Sequence, residues 1–423
     1  MKHTQNTLLA ILLLLSFGSA GAVVAAVSPE VDKKSSVTAL RDLKDWLAVP
    51  LLKRTDLSNA LFATVPLTKS DASSATEALW RDHAAYIVAT RAAEMDTKVI
   101  ELDGMKMKFE WLRFTKARPT NGHSLFISMH GGGGAPPQVN ESQWRNQIEL
   151  GRGYSPAEGI YLAPRAPTDT WNLWHQGHID KFFDRLIENL IVLENVNPNR
   201  VYILGYSAGG DGVYQLAPRM ADRFAGAAMM AGHPNDAQPL GLRNLPFAIQ
   251  VGANDGAFQR NTVAADWGRK LGELQKADSQ GYVHFTELHE GKGHWMDMQD
   301  RKAIPWMEKN SRVTLPDKIV WHQSNRTHQR FYWLASPSPK SGQDITARRE
   351  GQTVTLASMN VPTVTVLLND AMLNLDQPVT IHAGEVNLFS GRVPRTIATL
   401  ARTLAERGDT NLTFSAEVTV RLP

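Results

Sequence analysis

The sequence contains no cysteine. Disulfides, thiolate metal sites and lipid-modified cysteines are therefore excluded, and stability has to come from packing. Export without disulfides suits a bacterial periplasm or medium better than a eukaryotic secretory route. An excess of charge of one sign is also missing: 45 Lys and Arg stand against 42 Asp and Glu, a net charge of +3. No dense basic block alternates with aromatics, as a nucleic-acid groove requires, so nucleic acid is not expected as a partner. Long apolar runs are absent beyond the first residues, and no stable membrane span is expected in the mature chain.

What is present begins with Lys2, an apolar run from Leu8 to Leu15, and small residues at Ala20-Gly21-Ala22 and Val24-Ala25-Ala26. This is the layout of a secretory signal peptide cleaved at Ala22 or Ala26. The apolar run is shorter than the roughly 20 residues a membrane anchor needs. Residues 1–26 are thus expected to direct export to a periplasm or the medium.

With 423 residues, 43% of them hydrophobic, the chain can bury a large core and divide into two or three domains. Residues 27–96 read as a helical N-terminal extension, with Leu40, Leu43 and Leu47 at helical spacing and a second run from Ala75 to Ala93. From 97 to 314, short apolar runs alternate with amphipathic helices, the pattern of a mostly parallel sheet covered on both faces. The strands expected there are Lys108 to Phe114, Ser124 to Met129, Gly159 to Leu162, Val201 to Leu204, Gly226 to Met230, Phe247 to Val251 and Tyr282 to Glu287. Ile179, Phe183, Leu186 and Leu190 form one helical stripe, and Val263, Trp267, Leu271 and Leu274 another. Residues 315–423 turn to repeated β-type segments interrupted by a helix at Thr396 to Arg407, and are expected to form a small β-rich domain. The fold class expected is α/β.

The chemistry concentrates in Gly205-Tyr206-Ser207-Ala208-Gly209-Gly210, which follows an apolar strand and precedes a helical stripe through Val213, Leu216 and Met220. A serine on so tight a strand-to-helix turn has a strained backbone and glycine neighbours because side chains there would clash. Alone, the motif is also compatible with an idle serine on a glycine-rich turn. Upstream, His130-Gly131-Gly132-Gly133-Gly134 ends a core strand. Glycines there let a backbone N–H of Gly131 or Gly132 face a reacting carbonyl, together with the N–H of Ala208. Downstream, Asp255 follows an apolar strand and His294 lies in Gly293-His294-Trp295. A serine hydroxyl needs an imidazole to take its proton, and the imidazole needs a carboxylate to fix its tautomer. Asp236 or Glu290 are alternative acids, and His233 or His289 alternative bases.

These motifs, with Asn197-Pro198-Asn199-Arg200-Val201-Tyr202 leading into the serine turn, resemble the esterase branch of the α/β-hydrolases that includes feruloyl esterases and polyhydroxybutyrate depolymerases. The resemblance covers roughly Ser124 to Trp306 and leaves the N-terminal extension and the C-terminal β region unmatched. It implies an α/β-hydrolase fold, a Ser207, Asp255 and His294 triad, an oxyanion hole at Gly131, Gly132 and Ala208, and a small-molecule or polymeric ester substrate.

Substrate contacts are expected from His130, Tyr206, Trp295 and, in the aromatic segment at 169–178, from Trp171, Trp174 and His175, which would sit at the carboxyl end of the sheet. A buried aromatic cap is the alternative for that segment. His175, His178 and Asp180 also admit a metal-ligand reading, but a serine triad needs neither metal nor cofactor, and none is expected. Two competing functions stay open: a peptidase of the prolyl-oligopeptidase type, which normally carries a propeller this chain is too short to contain, and a non-catalytic polymer-binding protein. Oligomeric state is not legible.

Overall fold

Strands that are covered on both faces cannot alternate apolar with polar, and the central segments behave accordingly. In the computed structural model, which describes residues 31–114 and 121–423, strands β1 (Val99–Leu102), β2 (Met105–Arg113), β3 (His123–Met129), β4 (Ile160–Pro164), β5 (Val196–Tyr206), β6 (Gly226–Met230), β7 (Phe247–Gly252) and β8 (His284–His289) form one sheet. Every residue of β3, β4, β6 and β7 is buried, whereas β8 at the edge is half-buried along most of its length. The expected signal segment, residues 1–26, lies outside the described residues.

The strand order is β1-β2-β4-β3-β5-β6-β7-β8. β1 pairs antiparallel with β2 and β2 with β4, while the remaining neighbours are parallel. This is the α/β-hydrolase fold. From β3 the chain moves outward to β4 and then returns past β3 to β5, so the direction of winding reverses there. A crevice opens at such a reversal, at the carboxyl ends of the two strands. The glycine loop leaves β3 at His130 and the serine turn leaves β5 at Tyr206, so both face that crevice.

Helices α1 (Lys33–Ala48) and α2 (Lys69–Thr97) precede the sheet, and α3 (Pro137–Tyr154), α4 (Gly177–Glu194), α5 (Ala208–Arg219), α6 (Arg260–Ala277) and α7 (Ala303–Met307) cover it. α4, α5 and α6 pack on one face around Ile127, Ile203 and Ile249. α3 and α7 pack on the other, around Phe126, Tyr202 and Leu204. Strand β1 and helix α3 were not expected. α3 has a mostly polar sequence with only a few buried positions, Trp144 and Tyr154 among them, so its apolar signal is thin.

The N-terminal extension is not helical throughout. Three 3-10 turns at Leu51–Lys53, Leu57–Asn59 and Leu61–Thr64 separate α1 from α2. Pro50 and Pro66 stand on either side of these turns, where a ring without an N–H cannot continue a helix.

The C-terminal residues form two further sheets. Strands β9 (Lys318–His322), β10 (Arg330–Phe331), β11 (Leu334–Ala335), β12 (Asp344–Glu350), β13 (Thr353–Met359), β14 (Thr363–Leu368), β15 (Val379–Ala383), β16 (Val386–Gly391) and β17 (Ala416–Arg421) pair in the orders β16-β15-β13-β12-β9 and β10-β11-β14-β17. Helix α8 (Ile397–Arg407), capped by the Thr396 side chain, follows β16. Strands β12 and β16 were not foreseen, because Asp344–Glu350 is charged and Val386–Gly391 is half-exposed.

The extension and the C-terminal region share a core. Leu40 and Leu43 of α1, Ala75 and Leu79 of α2, and Ile397, Leu400 and Leu404 of α8 form one buried cluster. Burying each leucine there contributes roughly 1.5–3 kcal/mol. Further along, Glu94 of α2 pairs with Arg185 of α4, so α2 is also tied to the helices that cover the central sheet.

Candidate active site

The backbone around Ser207 explains its glycines. Ser207 has φ 57° and ψ −121°, a sparsely populated conformation held by the turn between β5 and α5. A methyl group at Gly205 would lie 2.3 Å from the Gly209 carbonyl oxygen, and one at Gly209 would lie 2.1 Å from the Met129 carbonyl oxygen. Strand, turn and helix are in backbone contact, and only glycine fits.

Two other loops arrive at the same point. The loop after β7 is stitched to the loop after β8: Ala253 N–H donates to the His289 carbonyl (3.0 Å) and Asn254 N–H to the Lys292 carbonyl (2.8 Å). A methyl at Gly252 would come within 2.0 Å of the Gly293 carbonyl oxygen, so this close approach also demands glycine. Asp255 and His294 are thereby brought side by side. His294 Nδ1 is 2.8 Å from Asp255 Oδ2, and its Nε2 is 3.0 Å from Ser207 Oγ. The Asp255 carboxylate is buried and lies 3.6 Å from the Arg260 guanidinium, whereas the His294 ring is partly open to solvent. His233, His289, Asp236 and Glu290 take no part in this chain of bonds. His289 is buried against Gln250, His233 accepts from its own turn at Asn235, Asp236 accepts from Gln215 and Asn325, and Glu290 is exposed.

Ser207 and His294 open onto a cleft of about 730 Å³, with Asp255 buried behind the imidazole. Gly131, Gly132, Tyr206 and Trp295 line it together with Ser207 and His294, and Val139, Gln143 and Leu150 of α3 supply a wall that the sequence did not announce. Gly131 sits directly beside the serine, a methyl on it falling 3.1 Å from Ser207 Cβ. Ala208 is the first residue of α5, whose N-terminus contributes positive potential at this spot.

His130, Trp174 and His175 do not line the cleft. All three are buried. Trp174 is wholly enclosed, its Nε1–H bonded to the His130 carbonyl (2.9 Å) and its ring against His130 and Phe183. The alternative of a buried aromatic cap holds for these residues: His130 and Trp174 find hydrogen-bond partners inside the protein, and the buried His175 ring packs edge-on against Trp171. His130 Nε2 accepts from the Ala166 N–H (3.1 Å), which places the proton on Nδ1, where it is donated to the Gly131 carbonyl (2.6 Å). Burial pushes the His130 imidazole down to about 4, so it stays neutral in this role. Trp171 is 64% exposed and backs onto Gly133 and Gly134 from outside the cleft. The metal-ligand grouping also separates: the Asp180 carboxylate is held by Arg219 (2.6 Å) and His328 (2.9 Å).

Asn140 and the clamping role of the Tyr206 hydroxyl escaped sequence reading. The Tyr206 hydroxyl donates to the carbonyl of His294, and Asn140 of α3 bonds the glycine loop. No local pattern marks Asn140, since it meets the loop only through the fold. A second cavity of about 540 Å³ lies in the C-terminal region between Arg330, Arg402 and Glu417, away from these residues.

No family model matches the chain. A putative esterase, NocK, of Nocardia uniformis subsp. tsuyamanensis is 29% identical over 127 residues, which take in 28% of this chain and 37% of that protein. The chain thus spans little more than a third of that relative's length. Among solved structures, a thermostable esterase aligns at 18% identity with a TM-score of 0.39, over 51% of this chain and 62% of its own. A ferulic acid esterase aligns at 14% identity with a TM-score of 0.34, over 50% of this chain and 96% of its own.

Proposed function

We propose that the protein is a serine hydrolase that cleaves carboxylic esters through an acyl-enzyme on Ser207. The observation that carries this reading is the continuous chain from Ser207 Oγ to His294 Nε2 (3.0 Å) and from His294 Nδ1 to a buried Asp255 (2.8 Å) at the mouth of a cleft.

In this reading the imidazole accepts the Ser207 proton as the oxygen attacks the ester carbonyl. Asp255, accepting from Nδ1–H, holds the tautomer that leaves Nε2 free to do so and stabilises the imidazolium. The carbonyl oxygen becomes an oxyanion between the Ala208 N–H and an N–H of the glycine loop. Collapse expels the alcohol, protonated by His294. Water, deprotonated by the same ring, then releases the acid and restores Ser207. The apolar wall from Val139, Leu150 and Trp295 suits an acyl or alcohol group of moderate size. The partial match to a putative esterase agrees with this class.

The test is a panel of soluble esters and aminoacyl amides, run on the wild type and on Ser207→Ala with fluorophosphonate labelling. Ester turnover and labelling that both vanish in the variant are expected. Turnover that survives in Ser207→Ala would refute the mechanism, and amide turnover exceeding ester turnover would shift the class to a peptidase. We also propose export, on the strength of residues 1–26 alone, and amino-terminal sequencing of protein recovered from the periplasm or medium should begin after Ala22 or Ala26.

A further inference from the structure

We infer that Asn140 is a positioning residue of this site, which fixes the peptide planes of the glycine loop so that the Gly132 N–H is the loop's oxyanion donor. The inference rests on the ester-hydrolase reading above and adds to it which N–H acts and what holds it.

Asn140 lies in the first turn of α3 and is wholly buried. Its Oδ1 accepts from the Gly133 N–H (3.0 Å), and its Nδ2 donates to the Gly133 carbonyl (2.9 Å) and to Asp169 Oδ1 (2.8 Å). One side-chain amide therefore grips both polar atoms of Gly133. Asp169 is anchored in turn by an ion pair with Arg165, whose guanidinium also bonds the Ala166 carbonyl (2.8 Å). The amide's donors and acceptor are all used within a buried network, which leaves it little freedom to turn.

The consequence for the loop follows from peptide geometry. The Gly133 N–H is committed to Asn140 and so is removed from the possible oxyanion donors. The Gly131 carbonyl is committed to His130 Nδ1–H (2.6 Å). In a trans peptide the following N–H points the opposite way, so the Gly132 N–H is turned away from His130. Gly132 lines the cleft and Gly131 abuts Ser207. Glycines at φ +109° and +106°, as Gly132 and Gly133 are, would otherwise sample several peptide orientations. Asn140 and Gly132 also fit as a pair, because a methyl at 132 would fall 2.0 Å from Asn140 Oδ1.

The experiment uses the full chain carrying Asn140→Ala, Asn140→Asp or Asp169→Asn. For each, steady-state hydrolysis of a soluble ester is compared with inhibition by a trifluoromethyl ketone, whose adduct on Ser207 places an oxyanion in the hole. Fluorophosphonate titration counts active sites, and circular dichroism checks the fold. Loss of a preorganised oxyanion donor typically lowers kcat by about 10²–10³-fold, so Asn140→Ala is expected to lose at least tenfold in kcat, with KM within about threefold. The ketone's inhibition constant should rise by the factor lost in kcat/KM, which a merely structural role would not produce. A folded Asn140→Ala or Asn140→Asp protein that loses less than tenfold in kcat overturns the inference, as does unchanged ketone affinity. Should both Asn140 variants fail to fold, Asp169→Asn decides, through the same match or mismatch between ketone affinity and kcat/KM. A wild type that neither turns over esters nor takes up fluorophosphonate overturns the ester-hydrolase reading itself, and this inference with it.

Discussion

The Tyr206 hydroxyl donates a 2.6 Å hydrogen bond to the backbone carbonyl of His294 and accepts one from the Met296 N–H at 3.3 Å. The residue immediately before the serine, at the end of β5, thus clamps the loop that leaves β8 across the width of two intervening strands. Burial raises the pKa of this phenol well above its ordinary value, so it remains a donor at any working pH. Tyr206 lines the cleft, but its hydroxyl is committed to the histidine loop.

Removing that hydroxyl tests the clamp. Tyr206→Phe keeps the ring in the cleft wall and loses hydrogen bonds worth about 1 kcal/mol each. A fall of roughly five- to tenfold in kcat/KM is expected, with KM little changed, because the loss is felt in the placement of His294 rather than in binding. Steady-state kinetics on one soluble ester suffices, and an unaltered kcat would show that the loop holds its position without Tyr206.

Two glycines of the same site should respond to a single methyl group with very different losses of stability. Gly209→Ala drives a Cβ to 2.1 Å from a backbone oxygen of β3, which cannot move without breaking the sheet. Gly293→Ala, next to His294, meets nothing within 4 Å. The first substitution is expected to destabilise by roughly 3 kcal/mol or more and the second by less than about 1 kcal/mol. Urea unfolding followed by tryptophan fluorescence measures both. Equal midpoints for the two variants would contradict the close approach of α5 to β3.

The contrast also marks where sequence reading succeeds. The central strands, the serine turn and the glycine loop are legible because each obeys a local rule: continuous apolar runs for strands buried on both faces, and glycine where backbones touch. Asp255 and His294 are readable as candidates because Asp255 follows an apolar strand and His294 lies on the loop after the last strand of the central sheet, but their choice over Asp236 and His233 depends on loops that only the sheet order brings together. Trp174 and His175 mislead for a physical reason. An aromatic and histidine segment looks the same in sequence whether it lines a cleft or plugs the space beneath a loop, and its hydrogen bonds to His130 and its neighbours are long-range. The shared core of α1, α2 and α8 escaped for the same cause, since its halves are more than 300 residues apart.

Two buried histidines set a pH dependence of stability. Burial lowers both the His130 and the His175 imidazole to about 4. A histidine in an unfolded chain titrates near 6.5, so between about pH 6.5 and 4 the unfolded state binds more protons than the folded one. Their contribution is complete above pH 6.5 and is lost as pH falls towards 4, on the order of 2–3 kcal/mol for each. Asp211 and Asp300, whose carboxyls are raised by burial, act in the opposite sense, so the difference between two proteins is the clean readout. His175→Gln removes one of the acid-sensitive groups. The gap in unfolding free energy between wild type and variant should shift in the variant's favour from pH 7.5 to pH 4.5. A gap independent of pH would mean that His175 takes up its proton in the folded protein as readily as in the unfolded chain.

The C-terminal region should unfold with the hydrolase sheet rather than separately. Arg312, just beyond α7, donates to the Asp222 carbonyl (2.9 Å), to Asn199 Oδ1 of β5 (2.8 Å) and to the carboxylate of Asp409 (2.5 Å), so one guanidinium bridges the central sheet and the C-terminal region. Both partners of the Arg312–Asp409 pair are excluded from water. Asp409→Ala therefore strands a buried guanidinium without its counter-charge, which costs about 3–5 kcal/mol. Replacing the pair as a whole, with Arg312→Met and Asp409→Leu together, leaves no charge to desolvate and should cost less than Asp409→Ala alone. Scanning calorimetry distinguishes the outcomes. A single peak in the wild type, shifted far down by Asp409→Ala and partly restored in the double variant, is expected. Two separate peaks, of which only one moves on Asp409→Ala, would mean that the C-terminal sheets fold on their own and that Arg312 merely rests against them.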